Sequence, residues 1–424
     1  MRFSSLPEWL SWLEQHHPQE IDLGLERVAK VARRLDLPGP SARLVIAGTN
    51  GKGSCVAAST ALLQAAGYRV GSFTSPHLQR YNERICIDGQ PVADELICCA
   101  FAAIDKARAD ISLTYFEFGT LAALWVFRQQ AVNISVLEIG LGGRLDAVNL
   151  VDADVTVVTS IDVDHEQWLG SDRGVIGREK AGIFRPGVPA LCADPTAPSS
   201  VEDYAREIGA LWMPVGQAYT YHVQSNGDWQ WQCESETYSN LPAVSLPLPS
   251  VAVALMAVRC LGVELHKLPL NQCLAELRLS GRLQKVIYRD REILLDVAHN
   301  PAATRYLAER LSERPVTGKS RAIVAMMTDK DIPASLSPMM ALVDAWAVAS
   351  LPQVPRAAST DLLRTHLQAL GGQVEAEGTL ADLLDTWLPF TDKEDLLLVF
   401  GSFFTVAAAL AIVGAEDNLL RTGM

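Results

Sequence analysis

Leu44-Val45-Ile46-Ala47-Gly48-Thr49-Asn50-Gly51-Lys52-Gly53-Ser54 is an apolar run that breaks into a glycine-rich turn carrying one lysine and one hydroxyl. The run predicts a buried strand, and Cys55 to Ala66, rich in alanine and leucine, predicts a helix. Glycines at 48, 51 and 53 leave room for successive backbone N–H groups to point at phosphate oxygens. Lys52 can then neutralise the outer phosphates, Ser54 can ligate Mg²⁺, and the helix start adds its positive dipole end. The spacing departs from the usual G-x-x-x-x-G-K-[ST] loop, because Gly48 lies three residues before Gly51 and Gly53 separates Lys52 from Ser54. A plain strand-to-helix turn is the alternative, and it leaves Lys52 unexplained between two apolar elements.

The 424 residues suffice for two or three domains, and 49% apolar content predicts a globular chain. A net charge of −13 argues against a broad nucleic-acid or anionic-membrane surface. Eight cysteines without a C-x-x-C pair suit a reduced compartment and predict mostly core thiols. Met1 to Pro7 lacks a signal-peptide pattern and no apolar run is long enough to span a bilayer, so the expected location is the cytoplasm.

Outward from the glycine turn, helical spacing is predicted over 6–16 and 25–35, a strand at 68–73, a hairpin over 81–92 around Asp88-Gly89, and helices at 94–108 and 115–129. Strands at 134–139 and 155–160 end in Gly140-Leu141-Gly142-Gly143-Arg144-Leu145-Asp146 and Ile161-Asp162-Val163-Asp164-His165, and another strand covers 188–193. Alternation of strand, polar loop and helix predicts an α/β fold with a parallel sheet and ligands at the carboxyl ends of its strands. A hairpin over 219–233 and helices from about 251 and 268 lead to Ser280-Gly281-Arg282, the expected domain boundary. Strands at 285–289, 292–297, 321–327, 344–350 and 395–400 then predict a second, smaller α/β domain over 281–424.

Glu138, Asp164 and His165 at strand ends, with Ser54 on the glycine loop, form a candidate Mg²⁺ set, His165 serving either as ligand or as orienting donor. Satisfaction of Glu138 and His165 by nearby backbone is the plainer alternative. Lys180, between Glu179 and Ala181, reads from its neighbours as a surface ion-pair lysine. Asp296-Val297-Ala298-His299-Asn300-Pro301 ends a strand in the second domain, where Asp296 can accept from ribose hydroxyls or help cap the next helix, and Arg282 can meet a phosphate.

Taken in order, Ile21 to Arg27, Gly48 to Ser54, Thr74 to Leu78, Thr114 to Thr120, Glu138 to Asp146, Asp164-His165, Arg178 to Ile183 and Asp296 to Pro301 resemble the Mur ligase superfamily, most closely its bifunctional dihydrofolate synthase/folylpolyglutamate synthases. The resemblance implies a Mur ligase-like ATPase domain (1–280) with a C-terminal α/β domain (281–424) that completes the nucleotide and glutamate site. It implies ADP-forming ligation of L-glutamate to 7,8-dihydropteroate, and of further γ-linked glutamates to tetrahydrofolates, through an acyl phosphate. ATP and Mg²⁺ are the implied cofactors. The loop Gly48, Thr49, Asn50, Gly51, Lys52, Gly53 and Ser54, with Arg282 and Asp296, would bind ATP; Ser75, Glu138 and His165 would hold Mg²⁺.

The same resemblance matches Lys180 to a lysine carbamylated by CO₂, whose anion helps hold a second Mg²⁺; Lys52, His165 and Lys180 are the implied catalytic residues. Pteroate would lie on Asp22, Leu23, Gly24 and Leu25, on Thr114, Tyr115, Phe116 and Glu117, and on Leu145, Asp146 and Ala147. Ser250 stands where the family often has a nucleotide-contacting asparagine. The implied partners are these small molecules alone, without nucleic acid or membrane, for a monomer. A Mur-type ligase acting on another acceptor, or a nucleotide-binding protein without ligase activity, are the competing readings.

Overall fold

The computed structural model describes residues 2–19, 21–37, 42–313, 316–392 and 394–422. These form two compact units, Met1–Leu277 and Arg278–Met424.

The first unit is built on an eight-stranded sheet of β1 (Ala42–Ala47), β2 (Val70–Phe73), β3 (Ile85–Ile87), β4 (Gln90–Pro91), β5 (Ile134–Glu138), β6 (Val155–Val158), β7 (Pro189–Cys192) and β8 (Leu211–Pro214). Their spatial order is β4-β3-β2-β5-β1-β6-β7-β8. Six strands run parallel, and β3 and β4 turn antiparallel at one edge. Val45, Ile46, Val136 and Val157 are buried, which is why the central strands read as unbroken apolar runs without alternation. The pairing sets Ile46 beside Glu138 and Ala47 beside Val158, so the chain leaves β1, β5 and β6 at one level of the sheet.

Helices Lys52–Ala65, Asp94–Arg108, Tyr115–Gln129, Arg173–Ala181 and Leu248–Cys260 belong to the same unit. Phe118, on the third of these, is fully buried and presents T-shaped contacts to Trp12 and Phe101 at 5.9 and 6.0 Å. A separate antiparallel sheet of β9 (Tyr219–Val223), β10 (Trp229–Cys233) and β11 (Thr237–Leu241) buries Trp229 and Trp231, whose indole N–H groups donate to the carbonyls of Pro242 and Ala252 at 2.9 and 3.0 Å.

The second unit has a six-stranded sheet of β12 (Gln284–Tyr288), β13 (Arg291–Asp296), β14 (Ser320–Val324), β15 (Ala345–Ser350), β16 (Val374–Thr379) and β17 (Leu396–Phe400), in the order β12-β13-β17-β14-β15-β16. All neighbours are parallel except the β12–β13 hairpin. The α/β expectation for both halves is therefore met.

Several local readings need correction. Tyr81–Arg84 is a 3₁₀ turn, and the expected hairpin is only β3–β4, closed by Asp88 and Gly89, both at positive φ as a primed two-residue turn requires. Strands β8, β11 and β16 escaped the sequence reading: β8 is four residues ending in proline, and β11 and β16 are edge strands with mostly exposed or half-exposed side chains. Helix Phe403–Thr422 extends past the last predicted element. All eight cysteines are free, but only Cys55, Cys98 and Cys192 are buried and Cys99 is exposed, so the core-thiol reading holds for three. Among the described residues no helix is long and apolar enough to cross a membrane. Replacing Phe118 by alanine is expected to cost about 3–5 kcal/mol, read as a lowered urea midpoint by circular dichroism.

Candidate active site

The glycine loop leaves β1 at Gly48 and enters the Lys52–Ala65 helix at Gly51, whose φ of +86° no other residue type adopts comfortably. A side chain on Gly51 would begin inside contact distance of the Ser250 hydroxyl, so Ser250 crowds the turn there. The loop is stitched to the chain that leaves β6. Thr49 donates its N–H to the Ser160 carbonyl at 2.7 Å, and its hydroxyl donates to the Asp162 carbonyl and accepts the Asp162 N–H, both at 3.0 Å. The Thr159 and Ser160 hydroxyls donate to the Asn50 carbonyl at 2.7 and 3.1 Å, and the Ser160 oxygen accepts the Asn50 N–H at 2.9 Å. Neither Thr159 nor Ser160 was singled out from sequence; their place at the end of a parallel strand was the available signal.

Lys52 donates its ammonium to the Gly48 and Thr49 carbonyls at 3.1 and 3.3 Å and stands 4.0 Å from Glu138 Oε1. The Ser75 N–H donates to the other oxygen of Glu138 at 3.3 Å. Gly48, Thr49, Lys52, Asp164, His165 and Lys180 line one cleft together with residues of the 139–142 loop. His165 holds a left-handed backbone, φ +54°, and its N–H donates to the Asp164 carboxylate at 2.8 Å. Ser75 and Glu138 are thus together, His165 and Lys180 share the cleft with Lys52, and Lys52 bridges the two groups by its approach to Glu138.

The surface reading of Lys180 is wrong. Its side chain is 4% exposed, and burial, helped by the charge of Lys52, pushes the amine down to about 7. Among the described residues no three His, Cys, Asp or Glu side chains cluster as a ready metal cage. The expected Mg²⁺ donors include a serine hydroxyl and a modified lysine, types outside such a cage. The buried Glu138 carboxylate, the Asp164 carboxylate in the cleft and the buried Ser54 hydroxyl, which lacks a hydrogen-bond partner among the described residues, are oxygen donors of the type a hard cation takes.

The three segments expected to hold pteroate also converge. Arg27 donates to the Asp22 carbonyl at 2.8 Å, pairs with the Asp22 carboxylate at 2.6 Å and reaches Glu117 Oε1 at 3.1 Å. Gly24 donates its N–H to the Leu145 carbonyl at 3.3 Å. Thr114 and Glu117 form a capping box: Thr114 N–H to Glu117 Oε2 at 2.7 Å, and Glu117 N–H to the Thr114 hydroxyl at 3.1 Å. Burial raises Glu117 above the usual carboxylate range against the pull of these donors and of Arg27. Asp146 is buried and accepts from the N–H groups of Gly140, Leu141 and Val148 at 3.0, 2.9 and 2.9 Å; burial pushes it up to about 7 despite them. Its carboxylate therefore folds the 140–146 loop. Arg27, the bridge among these segments, lies within the first family-like stretch but carried no role in the sequence reading.

In the second unit Asp296 is buried and accepts the N–H groups of Leu283 and Ala298 at 2.9 and 2.8 Å. Burial raises its carboxyl, and Arg282 opposes the rise. The cap of helix Pro301–Ser312 is Asn300, whose Oδ1 accepts the Ala303 N–H at 2.9 Å, so Asp296 is not needed there.

Residues 281–403 match the family model "Mur ligase, glutamate ligase domain". Dihydrofolate synthase/folylpolyglutamate synthase of Escherichia coli K12 is 44% identical over 98% of this chain and 97% of its own, and the Haemophilus influenzae protein of that name 38% identical over 97% and 98%. The chain belongs to the dihydrofolate synthase/folylpolyglutamate synthase family. Among solved structures, E. coli FolC in complex with DHPP and ADP superposes with TM-score 0.93 at 44% identity, covering 98% of this chain and 99% of that one. A bifunctional folylpolyglutamate synthase/dihydrofolate synthase with Mn, AMPPNP and L-glutamate bound gives 0.89 at 43% identity, covering 97% of this chain and 98% of that one.

Within this member of the family, the hydroxyl of Thr159 is one of the short ties that shape the glycine loop. Thr159→Val keeps the branched shape and removes the bond to Asn50, which is expected to weaken ADP binding about tenfold, measured by titration calorimetry.

Proposed function

We propose that the protein is an ATP-dependent, ADP-forming ligase that joins L-glutamate to dihydropteroate, making dihydrofolate, and adds γ-linked glutamates to tetrahydrofolates. The observation that carries this reading is the 140–146 loop, which borders the cleft of Lys52, His165 and Lys180 and is bonded at Leu145 to the Asp22–Leu25 segment. A carboxylate and an amine do not condense unaided in water. Transfer of the γ-phosphoryl group to the carboxylate oxygen releases ADP and creates an acyl phosphate; the neutral glutamate amine then attacks its carbonyl carbon, loses a proton and expels phosphate. Such catalysis is positioning and charge neutralisation.

The residues divide accordingly. Gly48 to Ser54 would wrap the phosphates with Lys52 as their counter-charge. Ser75, Glu138, His165 and Lys180 would hold Mg²⁺, which when bound neutralises phosphate charge. Asp22 to Leu25, Thr114 to Glu117 and Leu145 to Ala147 would seat the pterin, the ring of Phe116 already lying flush against Gly140. A cytoplasmic monomer acting on small molecules alone completes the reading.

A carbamate forms only from a neutral amine, and an amine brought down to about 7 supplies one near neutrality. At fixed dissolved CO₂ the adduct on Lys180 is expected to increase between about pH 6 and about pH 8, seen as a carbonyl signal with ¹³C-bicarbonate that Lys180→Met abolishes. The activity itself is tested by ADP release with MgATP and glutamate, with and without 7,8-dihydropteroate, and by the product mass. A glutamate-sized gain on pteroate, and then on tetrahydrofolate, is expected; ADP release without such a gain would overturn the assignment.

A further inference from the structure

Behind Lys180, two stretches of chain are fastened to each other. One is the 142–149 loop, and the other is the end of helix Arg173–Ala181 with the turn that follows it. Arg144 donates its N–H to the Glu179 carbonyl at 3.0 Å and its Nε to the Glu179 carboxylate at 3.0 Å. A side chain on Gly143 would begin 2.7 Å from the Glu179 carbonyl oxygen and 2.8 Å from that of Lys180, so the two backbones are in contact with no slack.

Asn149 lies at the centre of this seam and is 7% exposed. Its single amide nitrogen donates to the carbonyl of Arg144 at 3.0 Å and to the carbonyl of Gly182 at 3.1 Å, one on each stretch. Its amide oxygen accepts from Arg185 Nη2 at 2.9 Å, which fixes which end of the amide faces the carbonyls. Arg185 itself donates to the Ile183 and Phe184 carbonyls at 3.0 and 3.1 Å, so the turn after Lys180 is held from two sides. The Arg144–Glu179 ion pair is a weaker tie, since its arginine is 57% exposed to solvent.

We propose that Asn149 is a positioning residue of the ligation reaction: by joining the carbonyls of Arg144 and Gly182 it holds the turn that sets Lys180 in the nucleotide cleft. This rests on the reading that Lys180 works in that cleft. No other residue type combines, at this size, a nitrogen with two donors and an acceptor for Arg185. Displacement of a reacting geometry by about 1 Å costs about a hundredfold in rate, so a seam in backbone contact with Lys180 is coupled to turnover through the position of that lysine.

Asn149→Asp isolates the point, because aspartate keeps the acceptor for Arg185 and lacks the donor. It is expected to lower kcat by about 30-fold while KM for ATP and for dihydropteroate stays within about threefold, in protein whose thermal midpoint lies well above the assay temperature. Asn149→Ser, which retains one donor, is expected to fall between Asp and the parent, and it carries the test alone if the aspartate variant does not fold. A kcat within about twofold of the parent, or a loss that only follows the unfolded fraction, would overturn the proposal. Lys180→Met separates the two readings: full activity there removes the role of Lys180 itself, whereas an inactive Lys180→Met beside a fully active Asn149→Asp removes only the positioning role.

Discussion

The parallel register of β5, β1 and β6 is the constraint on which the site depends. Because Ile46 is level with Glu138 and Ala47 with Val158, three loops start side by side at one edge of the sheet. Close packing on both faces fixes that register, since a slip of one residue would send each side chain to the opposite face, into a space filled by another. The loops contribute unequal things: glycine-permitted backbone from β1, a loop folded on the Asp146 carboxylate from β5, and hydroxyl ties and His165 from β6. Chemistry is thereby assembled from positions far apart in sequence without any of the loops having to be long.

Electrostatics in the cleft follows from the same assembly. Lys52 and Lys180 are like charges in a confined space, and burying both as cations is costly. The conflict is eased by carbonyls and Glu138 around Lys52 and by the lowered proton affinity of Lys180. Such a cleft favours an anionic guest, and it does so inside a chain whose net charge is −13. Local cation placement, not overall charge, decides what can enter.

Sequence showed the α/β class, the central strands and the glycine loop plainly, because each leaves a local mark: an unbroken apolar run, or glycines beside a lysine. Ties between distant segments leave none. Thr159 and Ser160 look like ordinary residues after a strand, and Arg27 looks like a helix-surface cation until Asp22 and Glu117 are seen beside it. Lys180 was misread from its neighbours because adjacency to a glutamate says nothing about burial, which arises from the packing of the 140–146 loop against its backbone. Strand β11 was hidden by its exposure, while β16 alternates half-buried with exposed side chains but offers only Val374 and Ala376 as apolar marks.

The left-handed backbone at His165 places a small conformational cost at a residue that lines the cleft. A branched-free asparagine or a glycine would sit in that conformation at lower cost, so such a replacement should make the folded chain slightly sturdier while removing the imidazole from the cleft. Selection for heat resistance alone would drift toward those residues. The histidine thus carries a small backbone cost at the very position that brings its imidazole to the lining of the cleft.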